Sequence, residues 1–154
     1  LTVRSYSKET RQHLLDGIRR IARGEALAAG LPEELMPVVA PFGTPGIATY
    51  NDEPLANRLA ATFKARFGDA RVTQTKPVMV SEDFPQYREA DPQHIQSTLF
   101  WVGGVPQAKW DAVGGDPAKL PSLHSPFWAP DADKVIATGT EAMVAAAMDL
   151  LAKK

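Results

Sequence analysis

The hydrophobic pattern changes period several times along the chain. LTVRSY, residues 1–6, alternates apolar and polar positions and carries β-branched residues, which predicts a strand. Ser7 is then placed to cap a helix. From Lys8 to Ala29 the residues Leu14, Leu15, Ile18, Ile21, Ala22, Ala26 and Ala29 fall on one helical stripe, and Arg11, Arg19, Arg20 and Arg23 take other faces. Gly30 and Pro32 stop the helix. LMPVVAPF, residues 35–42, predicts a short strand whose prolines suit a sheet edge. GTPGIATYND, residues 43–52, is turn-rich, and the pattern resets there, so a domain boundary is expected between residues 45 and 46.

A second helix is expected with Asn51 or Asp52 as its cap and Pro54 in its first turn. Leu55, Leu59, Phe63 and Phe67 recur every four residues along it, and Gly68 closes it. RVTQTKPVMV (71–80) predicts a strand, SEDFPQYREA (81–90) a loop or short helical turn, and STLFWVGG (97–104) a strand buried on both faces. Residues 103–121 are rich in Gly and Pro and show no periodicity, which predicts a long loop. Asp131 or Asp133 is expected to cap a last helix with the stripe Val135, Ile136, Met143, Val144, Ala147, Met148 and Leu151, and Lys153 and Lys154 suit its C-terminal dipole. The order β-α-β, then α-β-loop-β-loop-α, predicts an α/β fold with helices covering a sheet.

Composition narrows the function classes. The 154 residues are 44% hydrophobic and 23% charged with a net charge of -1, so no broad positive field draws the chain to nucleic acid or an anionic membrane. No window approaches the apolar length of a membrane span, and LTVRSYSKETR lacks the basic start and apolar run of a signal peptide. A cytoplasmic setting is the expectation. With no cysteine, disulfides and thiolate metal sites are excluded. The chain opens on Leu1 inside an expected strand, which leads us to expect a fragment of a longer protein.

Three places carry candidate chemistry. His124 lies in PSLHSPFW, where Pro121 and Pro126 restrict the backbone and Ser122 or Ser125 can orient the imidazole. Such a histidine serves either as a structural surface residue or as a ligand. Glu82 and Asp83 follow an expected strand; they suit proton transfer or cation binding, and equally a helix start with Ser81 as cap. Arg4, mid-strand, is either solvated or presents its guanidinium to a carboxylate. His13 and His94 read as solvated, with no HxxxH-type ligand spacing. GxGxxG, a Walker loop, a nucleophile elbow and CxxC are all absent, and Trp101, Trp110 and Trp128 read as core or pocket lining rather than a base-stacking array.

Four segments in order resemble one family. VRSYSKETRQHLLDGIRRIA (3–22) resembles the last strand-helix unit of the lid domain in the zinc-dependent aminoacylase and carboxypeptidase-type amidohydrolases, the branch with hippurate hydrolases and indole-acetyl-amino-acid hydrolases. TYNDEPLA (49–56) resembles the re-entry into their catalytic domain, PVMVSEDFPQY (77–87) their Ser/Gly-Glu-Asp-Phe motif, and residues 120–151 their C-terminal histidine turn and final helix. The resemblance implies residues 1–45 as the end of an inserted α+β lid (dimerisation) domain and 46–154 as the C-terminal half of a zinc-peptidase-like α/β catalytic domain. It implies two divalent ions in the whole enzyme, zinc or manganese, and a metal-activated water that attacks the amide of an N-acyl amino acid or short peptide. By this resemblance His124 is a metal ligand, Glu82, Asp83 and Ser125 stand behind the ligands, and Arg4 faces the substrate carboxylate. The family's general-base glutamate and its remaining ligands lie in an N-terminal half that carries an HxD- or CxH-type segment and a catalytic Glu-Glu pair, and this sequence holds no HxD- or CxH-type segment. The expectation is therefore a fragment, inactive alone and prone to form homo-oligomers. The alternative is a non-catalytic binding or assembly module that keeps the scaffold.

Overall fold

The computed structural model describes residues 1–43, 46–80 and 82–152. Among them there are helices and no strand. The α/β expectation is thereby corrected, both as a sheet covered by helices and as the halves of a lid and a catalytic domain. The segments 1–6, 35–42, 71–80 and 97–104 have the local sequence of strands, but no strand ladder forms in them. Alternation and β-branching favour an extended backbone; a strand also needs a neighbouring strand to form a ladder with, and among the described residues these segments have none. The ends of two segments go to 3₁₀ turns instead, Glu33–Leu35 and Asp69–Arg71.

Among the described residues five α-helices follow in chain order: α1 (Lys8–Ala28), α2 (Glu53–Phe67), α3 (Pro85–Ala90), α4 (Gln107–Ala112) and α5 (Ala132–Leu151). They fall into two compact units, one of Leu1–Asp52 with Thr75–Thr98, the other of Glu53–Gln74 with Leu99–Lys154. The boundary expected between residues 45 and 46 abuts Pro45, which lies outside the described residues, as do Ser81, Lys153 and Lys154 with their expected capping and dipole roles. No described helix is long and apolar enough to cross a membrane.

In the first unit, α1 begins where the sequence places it. Ser7 is extended, and its Oγ accepts the Thr10 N–H at 3.0 Å, satisfying one of the free donors of the first turn. The helix ends in a Schellman motif: Leu31 N–H donates to the Ala26 carbonyl and Gly30 N–H to that of Leu27, both at 3.0 Å, with Gly30 at φ 71°. The inward stripe is narrower than the pattern suggests. Leu15, Ile18 and Ala22 are half-buried and Ala26 is buried, whereas Leu14 and Ile21 are exposed.

The second unit has its core between α2 and α5. Leu59 and Phe63 of α2 meet Ala142 and Ala146 of α5, with Leu55, Phe67, Val72 and Phe100 packed around them. Alanines let the two helices approach closely, and the pair is tied at its rim by Arg58, whose Nε donates to Asp149 Oδ2 at 2.6 Å, and by an Arg66–Glu141 ion pair. Apart from Val135, which is half-buried, the expected α5 stripe is not the buried face. Ile136, Met143, Val144, Met148 and Leu151 are all more than half exposed, while Thr138, Gly139, Ala142, Ala145 and Ala146 turn inward. The loop expected at 103–121 holds α4 and a 3₁₀ turn at Pro117–Lys119, the latter capped by Asp116, whose side chain accepts the Ala118 N–H at 3.0 Å.

Candidate functional site

The turn that carries His124 is built by two successive backbone hydrogen bonds. Ser125 N–H donates to the Ser122 carbonyl at 2.9 Å, and Trp128 N–H donates to the Ser125 carbonyl at 3.0 Å. The Ser125 hydroxyl accepts the Phe127 N–H at 3.2 Å, so it supports the turn itself. Trp128 anchors the far end: its ring lies over Gly104, where an added Cβ would come within 3.2 Å of Cζ2. Asp131 N–H also donates to the Gly104 carbonyl at 2.9 Å. Glycine at this position leaves room for the indole without displacing it.

His124 is thus displayed on a fixed turn. It is exposed, and its imidazole makes no hydrogen bond or ion pair with the described residues. No carboxylate or second imidazole joins it; among the described residues no group of three or more His, Cys, Asp or Glu is placed to hold a metal ion. Phe127 is exposed beside it and Trp128 is half-buried.

The other candidates belong to the first unit. Glu82 is spent locally. Its Oε1 accepts the N–H groups of Asp83 at 2.9 Å and Phe84 at 3.2 Å, the donors just ahead of α3. The Asp83 carbonyl accepts the Gln86 N–H at 3.0 Å, while the residue is exposed and its carboxylate has no partner among the described residues. Arg4 is exposed, and no ion pair joins it to Glu82 or Asp83. His94 is exposed and paired with Asp91, Nδ1 to Oδ1 at 2.9 Å, and His13 is exposed.

One place in this unit escaped the sequence reading. A cleft is lined by Ile47, Tyr50, Pro85, Arg88, Pro92 and Ser97. Nothing in the spacing of these residues marks them as a set, because they come from a turn-rich segment, from α3 and from the polar stretch after it.

No family model matches the chain, and no solved structure matches it.

Proposed function

We propose that this chain is part of a metal-dependent amidohydrolase that cleaves the amide bond of N-acyl amino acids or short peptides, and that it does not turn over on its own. The observation that carries the reading is the His124 turn. The backbone of the turn is fixed by two hydrogen bonds, and both ring nitrogens of the exposed imidazole are left open to a metal ion. It also closes an ordered series of segments, VRSYSKETRQ, TYNDEPLA and PVMVSEDFPQY, that resembles that enzyme family.

A catalytic zinc takes three protein ligands. The described residues do not assemble such a set, so they do not fit a metal centre by themselves. In this reading His124 supplies one ligand, and the other ligands and the general-base glutamate come from outside this sequence. Glu82 acts structurally, by its local hydrogen bonds, and Arg4 retains an unpaired guanidinium suited to a substrate carboxylate. Two divalent ions in the whole enzyme, zinc or manganese, and a cytoplasmic location belong to the same reading.

One observation favours a second reading, a non-catalytic binding or assembly module. The exposed apolar face of α5 is the sort of surface that a partner or another copy of the chain covers.

The test is to incubate the 154-residue chain with N-benzoylglycine and added zinc or manganese. No release of glycine above a His124→Ala control is expected. Turnover above that control would overturn the claim that the chain lacks part of its site.

A further inference from the structure

We propose that the cleft in the first unit binds a small monocarboxylate bearing an apolar group. The cleft is open to solvent, and Ile47, Tyr50, Pro85 and Pro92 give it apolar walls. The Tyr50 ring is held in place, because its hydroxyl donates to the Tyr6 carbonyl at 2.6 Å. Two polar groups remain unspent inside. Ser97 is only 8% exposed, and its backbone carbonyl accepts the Asp52 N–H at 2.9 Å, but its hydroxyl has no partner among the described residues. Arg88 is half-buried and has no carboxylate partner.

The one acid on the wall does not serve as that partner. Glu89 takes the Lys8 ammonium at 2.6 Å, and that hydrogen bond holds Lys8 above the usual lysine range. The cleft therefore offers one uncompensated guanidinium, one free hydroxyl and apolar walls. A guanidinium shielded from part of its hydration pairs best with a planar carboxylate through two parallel hydrogen bonds. Ser97 adds a donor, and the proline and tyrosine faces suit an aromatic or branched body. A single cation beside a neutralised pair favours one negative charge over two. This site is independent of the amide-hydrolysis reading and needs no metal.

The experiment is a titration of the whole chain with benzoate, in the presence of a chelator, followed by amide chemical shifts. Saturable shifts at Ala48, Arg88 and Ser97 are expected. Neutral benzamide and the Arg88→Gln variant should each bind at least about tenfold more weakly, the size of one lost charge-assisted hydrogen bond. Arg88→Lys keeps the charge and should lose less than Arg88→Gln, which separates loss of the cation from loss of the fold; Ser97→Ala should weaken binding a few-fold. The proposal fails if benzoate produces no saturable shift at those amides, if benzamide binds as tightly, or if Arg88→Gln binds like the parent chain.

Discussion

The rings of Phe63 and Phe100 pack with centroids 4.9 Å apart and planes inclined by 59°. This tilted contact joins α2 to a segment with no regular structure, and it sits on a core of four buried residues. With so few buried residues, each one carries a large share of the unit's stability. Phe63→Ala should cost about 3–5 kcal/mol, the range for deleting a buried aromatic ring. Urea unfolding followed by tryptophan fluorescence measures it. A loss below about 1 kcal/mol would mean that this core does not hold the unit together.

The Ser7 side chain satisfies a first-turn N–H of α1, that of Thr10. Ser7→Ala should cost about 1 kcal/mol and Ser7→Asp much less, since aspartate accepts the same bond and suits the helix dipole. Hydrogen exchange at Thr10 reads it directly. Unchanged protection in Ser7→Ala would contradict the cap.

Gly104 and Gly103 offer a paired test of the histidine turn. A Cβ at Gly104 would press on Trp128 at 3.2 Å, whereas one at Gly103 meets nothing within 4 Å. Gly104→Ala should displace the indole and cost about 1–3 kcal/mol, with a change in tryptophan emission; Gly103→Ala should leave the emission unchanged. Equal effects would show that the indole does not lie over Gly104.

The start of α5 carries a pH dependence. Lys134 Nζ donates to Asp131 Oδ2 at 2.8 Å; this hydrogen bond, and then the charge of Lys134, holds the Asp131 carboxyl below the usual aspartate range. The same hydrogen bond holds Lys134 above the usual lysine range. A lowered carboxyl stabilises the fold above the unfolded value, about 4, and that contribution is lost as pH falls through the depressed value. A raised ammonium stabilises below the unfolded value, about 10.4, and is lost as pH rises past the raised one. Unfolding measured from pH 6 down to pH 2 should show a larger loss in the parent chain than in Lys134→Met. Lys134 is exposed and Asp131 is half-buried, so solvent screens the pair and the difference is small. A loss in Lys134→Met as large as in the parent would remove this pair as a source of acid sensitivity.

The three long helices α1, α2 and α5 were legible because their signals are local, whereas α4 lies in a segment expected to be a loop. Ser7, Gly30, the four-residue spacing from Leu55 to Phe67, and Gly68 mark ends and faces within a turn or two of themselves. The strands failed because a strand is a relation between distant segments. STLFWVGG has the composition of a buried strand, yet Trp101 is exposed and Phe100 finds its cover on an α2 ring. The inward face of α5 was misread because large apolar residues dominate any hydrophobic stripe, whereas close packing against α2 selects the small ones, Ala142 and Ala146. At the candidate site the rigid turn around His124 was readable from its prolines and serines. The indole over Gly104 and the cleft beside Arg88 were not, because both join residues that are distant in the chain.

The most direct test of the central claim is hydrolysis of N-benzoylglycine by the entire product of the gene that encodes this chain, supplied with zinc or manganese. The account predicts turnover that a chelator abolishes and that His124→Ala lowers by at least about a hundredfold, the loss expected when an essential metal ligand is removed. An inert gene product, or a His124→Ala variant as active as the parent, would contradict it.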